Sequence, residues 1–171
     1  MKEQSCETGK EDKTTYMKHI LDIYEATSAN QQLADDITSL LAQLSTRPHP
    51  FTLADLQAIA GAHDTRLYIA TVDGKTVGML TIVYGKTPTG KKAWIEDVVV
   101  DRLWRGKSIG RRLVDIAAIH AHDNGASQLL LTTRPERVAA NALYRSLGFE
   151  QKKTNVYNMD FETHHSNTDI K

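Results

Sequence analysis

Val98-Val99-Val100-Asp101-Arg102-Leu103-Trp104-Arg105-Gly106-Lys107-Ser108-Ile109-Gly110-Arg111-Arg112 is the stretch on which the reading of this chain turns. A β-branched run ends in a short turn, and the turn opens onto a segment where Ile109, Leu113, Ile116, Ala117 and His120 recur at helical spacing. A helix entered in this way presents unpaired main-chain N–H groups and a partial positive charge, which together bind anions. Gly106, Ser108 and Gly110 keep bulk low, so a pyrophosphate can approach the backbone closely. Arg102, Arg105, Lys107, Arg111 and Arg112 add positive charge around that mouth. The same residues would also suit a solvated basic first turn with no ligand.

Toward the N-terminus, Trp94 to Val100 forms a strand, preceded by a loop from Gly85 to Lys92. Leu67 to Val72 and Val77 to Val83 flank the pair Asp73-Gly74, a hairpin signal. Thr52 is placed as N-cap of a short helix carrying Leu53, Leu56 and Ile59. Before Pro48 and Pro50, a helix is expected between Gln31 and Ser45, and a first strand within Lys18 to Ala26. Toward the C-terminus, Gly125 stops the helix that follows the turn, and Leu129 to Thr132 reads as a short strand. Pro135 suits the first position of another helix that Gly148 closes, and Phe149 and Asn155 to Phe161 are expected as final strands. The order βααβββαβαββ describes an α/β (α+β) chain, antiparallel strands first and one β-α-β crossover in the middle.

Bulk properties narrow the class. A length of 171 residues predicts one domain, here 16–162, between flexible polar tails at 1–15 and 163–171. The 21 basic and 21 acidic side chains cancel, which argues against a general nucleic-acid or membrane-surface binder while permitting a local basic patch. Cys6 is the only cysteine, so no internal disulfide is expected. No apolar run approaches the roughly 18 residues of a membrane span, and no signal-peptide pattern opens the chain. A cytoplasmic setting is expected.

Two ligand classes suit the turn. Gly106-Lys107-Ser108 superficially suggests a P-loop, but that pattern needs a glycine where this chain has Asp101, and Leu129-Leu130-Leu131-Thr132 ends without an acidic residue for magnesium. The other ligand is the pyrophosphate of coenzyme A. The segment resembles the signature of the GNAT acetyltransferase superfamily, with Arg105, Ser108 and Gly110 at its three defined positions and Ser108 replacing the usual glycine. Asn141-Ala142-Leu143-Tyr144-Arg145-Ser146-Leu147-Gly148-Phe149 resembles that superfamily's second acetyl-CoA segment. Asn141 and Tyr144 are three apart and share a helix face. The resemblance spans Leu67 to Phe161.

The resemblance implies a GNAT fold, a mixed and mostly antiparallel central sheet with helices on both faces, and acetyl-CoA as co-substrate. It implies that the main chain of Val98-Val99-Val100, chiefly Val98 and Val100, binds the cofactor arm. The Val98 N–H would polarise the thioester carbonyl. The backbone of Arg105, Gly106, Lys107, Ser108, Ile109, Gly110 and Arg111 would hold the pyrophosphate, with Asn141 and Tyr144 lining the cofactor. Tyr144 would be the general acid and Glu96 the base. Asp97 or a water chain stays open as an alternative base, and strand alternation is expected to send Glu96 and Asp97 to opposite faces. His120 and His122 point to different helix faces, so no metal is expected. The acceptor amine is not legible, a homodimer through the late strands stays open, and a non-catalytic acetyl-CoA sensor is the alternative to an enzyme.

Overall fold

Five strands pair in chain order: β1 (Leu21–Glu25), β2 (Thr65–Val72), β3 (Lys75–Thr87), β4 (Gly90–Val100) and β5 (Gln128–Leu131). The first four are antiparallel, and β5 joins β4 in parallel. Parallel pairing requires a crossover, which α3 (Ile109–Asp123) supplies. The structure, a computed structural model, describes residues 19–44, 50–159 and 161. The tails expected at 1–15 and 163–171, with Cys6, lie outside the described residues. The described chain forms two compact units that divide between Thr132 and Thr133. Among the described residues no helix is long and apolar enough to cross a membrane.

In the first unit, strand alternation sorts side chains onto two faces. Leu67, Ile69 and Met79 pack with Leu33, Ala34, Ile37 and Leu40 of α1 (Gln31–Leu44) and Leu56 of α2 (Leu53–Ala60). Tyr68 and Leu80 point the other way, toward α3, where the Tyr68 hydroxyl is hydrogen-bonded to His120 Nδ1. Leu113 of α3 lies over Gly78, at which an added Cβ would also meet the Val99 carbonyl at 3.0 Å. Helices therefore cover both faces, and each fully buried Leu or Ile contributes about 1.5–3 kcal/mol. His122 on the next face of α3 is exposed.

Local chemistry sets the element ends. Thr52 and Asp55 form a complete capping box, the Asp55 N–H donating to the Thr52 hydroxyl at 3.2 Å and the Thr52 N–H to Asp55 at 2.8 Å. Asp73 and Gly74 both have positive φ, 51° and 78°, the combination a two-residue hairpin needs. The loop expected over Gly85 to Lys92 is instead a hairpin: β3 continues to Thr87 and β4 begins at Gly90, leaving only Pro88-Thr89 as the turn. Main-chain pairing there needs no apolar side chains, which is why hydropathy missed it.

In the second unit, α4 (Val138–Ser146) begins later than Pro135 suggested. Pro135 sits in a turn closed by the Arg137 N–H donating to the Arg134 carbonyl at 3.1 Å, and proline's fixed φ suits the second position of such a turn. Gly148, at φ 87°, ends the helix, and the Phe149 N–H donates to the Tyr144 carbonyl at 3.0 Å. Among the described residues the final strands expected at Phe149 and Asn155 to Phe161 are not formed: residues 149–159 carry no regular secondary structure. Val156, Tyr157, Met159 and Phe161 are exposed, and apolar alternation without ladder hydrogen bonds does not make a strand.

Candidate functional site

The β3–β4 register changes inside β4. Ile82 pairs with Ile95 and Thr81 with Glu96, but Met79 pairs with Val99, so β4 carries one extra residue. Asp97, at φ 50°, takes up the irregularity. Two main-chain hydrogen bonds record the result. The Lys91 carbonyl accepts from Ser127, on the β5 side, at 2.8 Å, whereas the Asp101 N–H donates to Val77, on the β3 side, at 2.8 Å. In an unbroken strand both residues would face the same way. Beyond the bulge, the main-chain groups of Val98 and Val100 face away from β3, and those of Val99 face it. The pairing of β4 with β5 stops at Ile95 and Leu131. Val98 and Val100 therefore line a strand edge that no strand of the first unit covers. Val99 instead pairs with Met79 and is buried in the α1–α2 core.

The open edge runs into the basic turn. Asp101 caps a 3₁₀ turn over Arg102–Trp104, its carboxylate accepting from the Leu103 N–H at 2.9 Å. Gly106 and Ser108 then adopt left-handed φ, 76° and 61°. Ile109 is buried and anchors the start of α3. From Arg105 to Gly110, no main-chain N–H donates to a protein acceptor among the described residues, and Ser108 does not cap α3 with its side chain. Successive N–H groups around left-handed residues form an anion-binding concavity, reinforced by the helix dipole. The side chains of Arg102, Arg105, Lys107, Arg111 and Arg112 are exposed around it. The Arg105 Nε donates to the Val100 carbonyl at 3.0 Å, and the Lys107 ammonium lies 4.1 Å from the Trp104 ring centre.

Glu96 and Asp97 sit at the bulge, both solvent-accessible. The alternation expected to separate them is interrupted there by the left-handed Asp97. Partial loss of hydration, then the Asp97 charge, raises the Glu96 pKa, and partial loss of hydration raises that of Asp97.

The second unit holds the remaining residues singled out from the sequence. Tyr144 is buried, its pKa raised by desolvation against an opposing effect of Arg137, and its ring meets that of Phe149 edge-on at 5.8 Å. The Asn141 side-chain amide donates to the carbonyls of Arg134 at 2.9 Å and Arg137 at 3.0 Å, tying down the turn ahead of α4. Sequence reasoning passed over Gln43 and Trp104. Both act on the turn, Gln43 from a helix far away in the chain, and no local pattern announces such a contact.

The family model described as "Acetyltransferase (GNAT) family" matches residues 30–149. An aminoglycoside N(6')-acetyltransferase type 1 from Stenotrophomonas maltophilia is 28% identical over 106 residues, 59% of this chain and 69% of that protein. A mycothiol acetyltransferase from Catenulispora acidiphila is 27% identical over 122 residues, 71% of this chain and 34% of that protein, so the match spans about a third of that relative. The fold is similar to that of aminoglycoside N-acetyltransferase AAC(6')-Iy in complex with CoA, with a TM-score of 0.70 at 19% identity, covering 85% of this chain and 98% of that one.

Proposed function

This chain belongs to the acetyltransferase (GNAT) family, and from that premise we propose that it moves the acetyl group of acetyl-CoA to a primary amine of a small molecule or peptide. The observation that carries this reading is the row of N–H groups from Arg105 to Gly110 with no protein acceptor among the described residues, at the end of a strand edge that no strand of the first unit covers. Such a row suits a diphosphate, and the outward main-chain groups of Val98 and Val100 suit an amide-bearing arm. When bound, acetyl-CoA supplies an activated thioester. Everything else falls to the chain itself.

On this reading the backbone from Arg105 to Arg111 holds the diphosphate, and exposed Arg and Lys side chains draw the polyanion in. The Val98 N–H polarises the thioester carbonyl. Glu96, its pKa raised, accepts the proton of the incoming ammonium directly or through water. Tyr144, kept protonated by burial, donates a proton to the leaving sulfur. Asn141 shapes the segment ahead of Tyr144 through its two hydrogen bonds and presents its remaining oxygen to the cofactor.

A thermal-shift comparison tests the ligand: acetyl-CoA raises the melting temperature, and magnesium-ATP does not. A thiol-release screen across amine classes then tests the reaction. Stabilisation by acetyl-CoA with no thiol release from any amine would leave a sensor in place of an enzyme. Stabilisation by magnesium-ATP alone would overturn the acetyl-CoA reading.

A further inference from the structure

Gln43 lies in the last turn of α1, one residue before the helix ends, yet its side chain reaches the turn that follows β4. Its amide makes two hydrogen bonds to consecutive residues. Nε2 donates to Asp101 Oδ2 at 2.9 Å, and Oε1 accepts from the Arg102 N–H at 3.0 Å. Asp101 Oδ1 meanwhile accepts from the Leu103 N–H, and the Asp101 carbonyl from the Trp104 N–H at 2.9 Å. Every N–H from Arg102 to Trp104 is thus satisfied, and those without a protein acceptor among the described residues begin at Arg105. Each oxygen of the Asp101 carboxylate accepts one hydrogen bond, with Lys75 and Arg102 as its neighbouring cations. The Gln43 N–H is the largest influence holding its pKa below the ordinary value.

We infer that Gln43 is a positioning residue for the diphosphate turn: by completing the cap over Arg102 and locking Asp101, it fixes the start of the turn so that the amides from Arg105 to Gly110 converge on one anion. The inference rests on the acetyl-CoA reading above. It adds that binding strength is set in part by a helix that forms none of the turn. Preorganised donors bind more tightly than donors that must be ordered on binding, because the ordering entropy has been met in the fold.

Two full-length variants test this, with CoA itself as the probe. Gln43→Met keeps the length and loses both hydrogen bonds; its CoA dissociation constant, by calorimetry, is expected to rise roughly tenfold. Gln43→Glu places a second carboxylate against Asp101, so it repels at high pH. Once the pair takes up a proton, the acid group donates to Asp101 and accepts from Arg102 as the amide does. Its affinity relative to native is expected to be low near about pH 8 and to recover near about pH 5.5. A general loss of stability would not produce that recovery. Amide exchange of residues 101–108 without ligand is expected to be faster in Gln43→Met than in native protein.

Native-like CoA affinity in Gln43→Met, or a Gln43→Glu defect independent of pH, would overturn the inference. If Gln43→Met fails to fold, the pH series of Gln43→Glu decides alone. If native protein does not bind CoA, the acetyl-CoA reading fails, and amide exchange still reports whether Gln43 braces the turn.

Discussion

Glu96 carries a pKa above the ordinary glutamate value of 4.5 because the bulge withdraws hydration and sets Asp97 beside it. Two outcomes of opposite sign follow for Glu96→Gln. If Glu96 is the base, the variant loses roughly 10²-fold in turnover together with the acid limb of the pH–rate profile, a limb that lies above pH 4.5 in native protein. Stability moves the other way. The folded state holds this proton to higher pH than the unfolded state, so the contribution of Glu96 is lost as pH rises through its raised pKa. Near neutral pH the ionised group therefore destabilises the fold, and Glu96→Gln is expected to raise the melting temperature at pH 7 while changing it little at pH 4. For Tyr144, replacement by Phe removes the proton donor and leaves the ring contact with Phe149. Turnover is expected to fall by roughly 10²-fold with the CoA dissociation constant unchanged, measured by steady-state kinetics beside calorimetry.

Among the elements, the turn between β4 and α3 uses two left-handed residues of different chemistry. Ser108 has a Cβ and adopts φ 61°, which a glycine would tolerate better. Ser108→Gly is expected to add roughly 1 kcal/mol of stability, and Gly106→Ala to remove about as much, although an added Cβ at Gly106 meets no atom within 4 Å. Urea unfolding of both variants checks the pair. Turn chemistry of this kind was largely legible in the sequence. Thr52 as N-cap, Asp73 with Gly74, and the helix stops at Gly125 and Gly148 all behave as their residue types dictate, because each signal and its effect lie within a few residues. Pro135 lies in a turn and not at the first helical position expected for it, since proline suits both a first helical turn and the second position of a β-turn, and its immediate neighbours do not choose between them. The alternation from Asn155 to Phe161 describes a strand that lacks a partner among the described residues; strand pairing depends on what lies alongside.

Over the whole molecule, net charge is zero, yet five cationic side chains gather around the turn between Arg102 and Arg112. Attraction of a polyanion to such a patch is screened by salt, so CoA affinity is expected to drop several-fold between low and high ionic strength, followed by calorimetry at fixed pH. The basic turn could be read from the linear sequence, whereas Val98 and Val100 are singled out only through the family resemblance. The Gln43 brace could not, because it joins residues 58 and 59 positions apart. Nor could the offset in β4, which lies in the comparison of two strands and in neither strand alone. That offset has a consequence for engineering. A strand distributes its main-chain groups by odd and even number, and one surplus residue exchanges the two sets for the rest of its length. Deleting Asp97 removes the surplus residue itself, so Met79 is expected to stay opposite Val99, and the main-chain groups of Val98 and Val100 to stay outward with CoA affinity retained, as calorimetry would check. A one-residue deletion at Asp97 is therefore expected to be tolerated better than one in the regularly paired run before it, where no surplus residue absorbs the change.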